Sequence, residues 1–132
     1  MAQIPDEAVH LLEGQHFAHV ATVMADGTPQ VTPVWIDHEG DTVTFNTAAG
    51  RFKEKNLRRD PNVAISIIDA ENPYQPLIIR GKVTEMTEEG ADEQIDALAK
   101  RYMGVDEYPL RQPGEQRVMV KITPEKVNYY GN

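Results

Sequence analysis

The sequence predicts a mainly β fold with flanking helices, a small barrel of the split or Greek-key kind, in one domain over residues 1–132. Three observations lead there. Six or seven short runs of β-branched or alternating residues follow one another between turn signals. Only two or three stretches carry helical spacing. So many short antiparallel strands need closure to hide their edges, and a chain of 132 residues has length for one proper core but little more.

Taken in order, residues 5–13 suit a short helix. Pro5 fits its first turn, Asp6 and Glu7 complement the dipole, Val9, Leu11 and Leu12 can face a core, and Gly14 stops it. Residues 17–24 read as a strand, and Asp26-Gly27 centres a hairpin turn. The next strand, 29–37, alternates Val31, Pro33 and Trp35 against Thr32, Val34 and Ile36, with Pro33 predicting an edge or a bulge. A second turn at 38–41 leads to a strand over 42–47, which completes a three-strand meander. A helix beginning near Arg51 ends at Asp60-Pro61, since proline disfavours helical geometry just before it.

The near-continuous apolar run 63–68 predicts a central strand covered on both faces. Residues 69–76 read as a polar loop, and 77–87 as a long strand in which Gly81 marks a bulge or a close backbone approach. The strongest amphipathic helix is 88–103, with Ile95, Leu98, Ala99, Tyr102 and Met103 on one stripe. A loop over 104–115 precedes two closing strands, 116–123 and 126–130, around Thr-Pro-Glu.

Composition bounds the function. With no cysteine there is no disulfide, no thiolate catalysis and no cysteine-ligated metal. His10, His16, His19 and His38 are scattered without ligand spacing and read as surface or satisfied histidines. The N-terminus lacks the basic and apolar regions of a signal peptide and no apolar run reaches spanning length, so a cytoplasmic protein without a membrane partner is expected.

Charge is distributed unevenly. Five of the thirteen Lys and Arg residues are Arg51, Lys53, Lys55, Arg58 and Arg59, none precedes Arg51, and Glu54 is the sole acid among them. Residues 51–59 thus carry +4 on a chain of −8, leaving −12 for the rest. Such a patch attracts small anions while the remaining surface repels nucleic acid. The patch also opens a helix, whose free N–H groups favour a phosphate. On a regular helix Arg51, Lys55 and Arg58 share a face and repel unless an anion sits between them, while Lys53 joins only if residues 50–53 remain loop. The competing reading is an ordinary solvated face in which Glu54 pairs with Lys55 and Arg58.

These features resemble the flavin/deazaflavin oxidoreductase superfamily, whose type member oxidises pyridoxine phosphate on a split β-barrel. The stretches that carry the likeness are His19-Val20-Ala21-Thr22 through Asp26-Gly27-Thr28-Pro29-Gln30-Val31; Pro33-Val34-Trp35; Gly50-Arg51-Phe52-Lys53-Glu54-Lys55-Asn56-Leu57-Arg58-Arg59-Asp60-Pro61; and Asn72-Pro73-Tyr74 before Arg80-Gly81. Residues 122–127 also look like the family's closing strand pair. The string from Arg51 to Pro61 is the most specific of these, and it looks most like the branch that uses the deazaflavin coenzyme F420, less like the FMN branch.

The resemblance implies a homodimer with two coenzyme sites at the subunit interface. It would place the coenzyme phosphate on Arg51, Lys53 and Lys55, with Asn56 alongside. The ring would lie against Pro33, Val34, Trp35, Asn46 and Thr47, and against Ala64, Ile65, Ser66 and Ile67, with Tyr74 and Gln75 reaching in from the partner subunit. The implied activity is hydride transfer between reduced F420 and a small unsaturated or aromatic molecule, the alternatives being an FMN-binding oxidoreductase or a non-catalytic binder on the same fold. The pyridoxine-phosphate oxidases carry further substrate-phosphate residues and a longer C-terminal arm, so pyridoxine phosphate is a poor substrate expectation here. Such chemistry demands placement more than reactive side chains. Thr32, Asn46, Thr47 and Ser66 are the polar side chains expected near the ring. Trp35 reads either as a stacking platform or as core or interface, and Tyr129 and Tyr130 either cap the site or simply finish the last strand.

Overall fold

A computed structural model describes residues 2–129. Six antiparallel strands close a barrel: β1 (Phe17–Val23), β2 (Pro29–Glu39), β3 (Thr42–Ala48), β4 (Asn62–Asp69), β5 (Asn72–Thr87) and β6 (Arg117–Tyr129), in the spatial order β1-β2-β3-β6-β5-β4 with β4 returning to β1. Three helices flank it: α1 (His10–Glu13, after a single 3₁₀ turn at Asp6–Ala8), α2 (Phe52–Arg59) and α3 (Ala91–Met103). Inward-facing Val20, Ile36, Val43, Phe45, Ile65, Ile67, Ile79, Val120 and Ile122 fill the interior, and Leu11 and Leu12 of α1 pack into the same core. No described helix is long and apolar enough to cross a membrane.

The barrel is open along one seam. β2 pairs with β1 over residues 29–35, but with β3 only over 36–39. Beyond Phe45 the next residues of β3, Asn46 to Ala48, pair with β6 alone. Residues 29–35 and 46–48 therefore diverge, and α3 packs over the opening against β2, β3 and β6. Pro33 lies in the half of β2 that has a neighbour on one side only, where a strand tolerates a missing N–H.

Four sequence expectations change. β4 is buried on one face rather than two: Val63, Ile65 and Ile67 point inward, while Ala64 and Ser66 are half-buried and Ile68 is exposed, because no helix covers the outside. The expected loop over 69–76 is a tight turn at Ala70-Glu71 followed directly by β5, whose two prolines sit in a stretch with no ladder partner among the described residues beyond Asp69–Asn72. The two expected closing strands are one continuous β6. Its Thr123-Pro124-Glu125 is absorbed as a register shift opposite Arg80 and Gly81. There a Cβ on residue 81 would stand 2.3 Å from the Thr123 carbonyl oxygen, so the strands approach as only glycine allows. Finally, α3 starts at Ala91 rather than at 88, after Gly90 in the left-handed region at φ 78°. Tyr130, expected to end the last strand, lies outside the described residues.

Candidate functional site

The seam holds two adjoining cavities that share two cations. The inner one, about 200 Å³, lies between Pro33, Val34 and Trp35 of β2 and Asn46 and Arg117 across the opening, with Ile95 and Leu98 of α3 and Tyr108 and Leu110 of the 104–116 loop as its outer wall. The outer one, about 350 Å³, is lined by Gln30, Thr32, Gly50, Arg51, Phe52, Lys53 and Lys55. Arg51 and Lys53 belong to both. Both compartments thus carry cations, three in each, and the inner one adds flat, apolar walls.

The cationic end is built by the start of α2. Gly50, at φ 92°, turns the chain, and Arg51 is still extended in the N-cap position. Glu54 in the first helical turn accepts the Gly50 N–H at 2.8 Å and Arg58 Nε at 2.6 Å. Burial pushes the Glu54 carboxyl up, but these two donors prevail and hold it below the ordinary 4.5. The expected stack of Arg51, Lys55 and Arg58 does not form, because Arg58 turns to Glu54 instead. Lys53 joins the cations although it is helical. Side chains in a first turn lean toward the helix N-terminus, and its Nζ reaches Thr32 Oγ1 at 2.8 Å.

These cations are short of partners. Neither Lys53 nor Lys55 has an ion pair among the described residues, and Arg51 only approaches Glu115 at 3.7 Å. Glu115 is already held by Arg117 at 2.7 Å. Burial pushes the Lys53 ammonium below its ordinary 10.5, and repulsion from Arg51 and Arg117 adds to that. A half-buried ammonium among like charges, bonded to a hydroxyl but to no acid among the described residues, is what a phosphate would satisfy. The donor set therefore fits the phosphate of a flavin-type coenzyme.

The apolar end is an aromatic cluster. Trp35 stacks on Tyr102 with centroids 5.2 Å apart and meets Tyr108 edge-on at 6.0 Å. Tyr102 is fixed by donating to the His16 carbonyl and accepting the Ile36 N–H. Trp35 thus both lines the cavity and packs on Tyr102.

Of the residues singled out from sequence, the structure gathers Pro33, Val34, Trp35, Asn46, Arg51, Lys53, Lys55 and Thr32 at the seam. Others stand elsewhere. Asn56 is buried beneath α2, its amide donating to Thr22 Oγ1 and Met24 Sδ and accepting from Arg59, so it fastens the helix to β1. Arg59 is exposed and bonds the Val23 carbonyl and Asn56 rather than an acid. Thr47 alternates with Asn46 and points into the barrel with Phe45, and its hydroxyl is buried without a partner among the described residues. Ile65 and Ile67 are core. Ala64 lines a separate groove with Arg80 and Lys126, while Ser66, Tyr74 and Gln75 line none of these three cavities. Tyr129 packs against the core instead of capping the seam. Sequence reasoning missed Arg117, Glu115, Tyr108 and the α3 residues of the wall.

The comparisons agree with this architecture. The family model described as pyridoxamine 5'-phosphate oxidase matches residues 4–131. A solved structure named F420 reductase is 32% identical with a TM-score of 0.82, covering 95% of this chain and 98% of its own. Two more distant structures share the fold. A conserved hypothetical protein from Mycobacterium tuberculosis is 24% identical at TM-score 0.73, over 96% of this chain and 84% of its own. General stress protein 26 from Bacillus anthracis is 19% identical at TM-score 0.70, over 94% and 91%. With nearly its whole length matched and a flavin-type split barrel as its fold, this chain belongs to the pyridoxamine 5'-phosphate oxidase family of oxidoreductases.

Proposed function

We propose that the protein is an oxidoreductase that uses reduced coenzyme F420 to reduce a small unsaturated or aromatic molecule, as a homodimer with coenzyme at the subunit interface in the cytoplasm. One observation carries this reading: a cavity walled by Pro33, Val34 and Trp35 and a second lined by Lys55 adjoin through Arg51 and Lys53, which suits a ligand with an anionic end and a planar end. Arg51, Lys53 and Lys55 would hold the phosphate, and Pro33, Val34 and Trp35 would face the ring. The bound coenzyme supplies the hydride, and the protein contributes orientation and a dry wall. The 32% identical F420 reductase favours F420 over FMN.

The dimer is supported by what the barrel leaves uncovered. Phe17, Val31, Ile68 and Tyr74 are large apolar side chains exposed on β1, β2, β4 and β5. In the dimer, the outer face of β4 at Ala64 and Ser66, with Tyr74 and Gln75, would meet the partner's coenzyme rather than its own. The test is fluorescence titration of the purified protein with F420 and with FMN, followed by oxidation of reduced F420 over a panel of unsaturated substrates. Saturable F420 binding with turnover is expected. Tight FMN with no F420 binding would move the protein to the FMN branch, and F420 binding without turnover of any substrate would make it a carrier.

A further inference from the structure

We propose that Arg117 is a substrate-binding donor, its Nη2 presented to the inner cavity to receive an uncharged acceptor oxygen, such as a ketone or nitro oxygen, on a flat organic molecule. The inference rests on the oxidoreductase reading above and deepens it by naming the substrate group that the site holds.

Arg117 is 4% exposed yet lines the cavity. Its Nε donates to Asn46 Oδ1 at 2.8 Å and its Nη1 to Glu115 Oε1 at 2.7 Å. The Tyr108 ring covers the face of the guanidinium, with its carbon 5.0 Å from the centroid. Nη2 has no acceptor among the described residues. An arginine has five donors in a rigid fork, so fixing Nε and Nη1 fixes where Nη2 points.

Its holders are themselves committed. Asn46 spends its amide on the Ala91 carbonyl at 2.8 Å and Gln94 Oε1 at 3.0 Å, and Gln94 in turn donates to Thr44 Oγ1. Both N–H donors of Asn46 are thus spent and its Oδ1 is held by Arg117, which makes it a positioning residue. Charge decides the class of ligand. Glu115 sits 2.7 Å from Arg117 but 3.7 Å from Arg51, and Lys53 has no acid partner among the described residues, so the least compensated charge lies at the shared mouth. An anionic group is drawn to the mouth, and the floor offers a charged donor already paired with Glu115, matched to a neutral oxygen. The walls of Trp35, Tyr108, Ile95 and Leu98 suit a planar apolar body.

The test uses the full-length chain without coenzyme. Its single tryptophan gives one indole N–H signal in proton–nitrogen NMR, and Trp35 lines the cavity, so that signal reports occupancy. The probes are 1-indanone and indane, which share a skeleton and differ in the oxygen. The expected result is that 1-indanone binds at least about tenfold tighter, the ratio for a hydrogen bond to a charged donor. It should also shift the Arg117 Nε–H signal, and indane should not. Arg117→Lys keeps the charge beside Glu115 but loses the fork, and should bring the two probes within about threefold of each other. A merely structural role would weaken both probes together and leave their ratio unchanged.

Equal affinity of the wild-type protein for the two probes overturns the proposal without any variant, so failure of the Arg117→Lys variant to fold does not protect it. FMN and F420 titrations on the same sample separate the two readings. Coenzyme binding with no preference for 1-indanone sinks the Arg117 assignment alone. Preference for 1-indanone without coenzyme binding supports Arg117 and sinks the coenzyme reading.

Discussion

Arg117 on β6 donates Nε to Oδ1 of Asn46 on β3 across 2.8 Å. In the ladder Asn46 stands opposite Met119 and Ala48 opposite Arg117, so the two side chains are diagonal neighbours on one face. That face is turned toward α3, whose Ala91 carbonyl and Gln94 take the other end of Asn46. A single buried amide thus ties the seam, the helix above it and the cavity floor. Asn46→Leu would keep the volume but strand all three partners, and should lower unfolding stability by about 1–3 kcal/mol, the penalty of unsatisfied buried groups. Urea denaturation checks it, and a loss below about 0.5 kcal/mol, the scatter of neutral surface changes, would contradict the network's role.

Gly81→Ala should be costly in spite of its small size. The added methyl meets the Thr123 backbone oxygen at 2.3 Å, and backbone at a register shift has little freedom to yield. A loss of about 1–3 kcal/mol is expected, in the range of overpacked cores. An unchanged urea midpoint would mean that β5 and β6 separate there easily.

Acid stability should depend on Glu115. Burial pushes its carboxyl up, but Arg117 and then Arg51 outweigh burial and hold it below 4.5. A depressed carboxyl contributes stability that is present above 4.5 and is lost as pH falls through the depressed value. Glu115→Gln should therefore flatten the fall in stability on the acid side of pH 4.5. Thermal unfolding from about pH 6 to about pH 3 checks this, and parallel curves for the two proteins would contradict it.

Lys53 gives the opposite dependence. Its ammonium titrates below 10.5, and an anion binds the charged form. Coenzyme affinity should fall as pH rises through that lowered value, with proton uptake on binding. Lys53→Arg should hold its affinity to higher pH, since a guanidinium stays charged. Identical pH profiles for the two proteins would show that Lys53 carries no part of the anion's binding.

Much of the barrel was legible because its signals are local. Asp26-Gly27 marks a hairpin, Pro33 an unpaired strand side, and Gly81 a close approach, and each sits where its own chemistry puts it. The β4 run misled because five apolar residues in six look alike whether covered on one face or two, and only neighbours decide. The same limit applied at the site. The cations of α2 are neighbours in sequence and announce themselves, whereas Arg117 is 71 residues from Asn46 and reads as one charge at a strand start. Asn56 and Lys53 show the residual ambiguity, since the helix phase that buries one and frees the other depends on where α2 begins.

The central claim is that one site spans both cavities through Arg51 and Lys53, and the most direct measurement is F420 affinity in Lys53→Met beside Arg59→Met. Lys53 stands between the cavities with no ion pair among the described residues, while Arg59 is equally cationic but binds Val23 and Asn56 through its Nη2. Fluorescence titration at low salt should show a loss of about 1–3 kcal/mol for Lys53→Met, the range for a charge-assisted hydrogen bond, shrinking as salt rises. Arg59→Met should stay within about 0.5 kcal/mol of wild type. Equal losses in the two variants would mean a diffuse positive surface rather than a formed site.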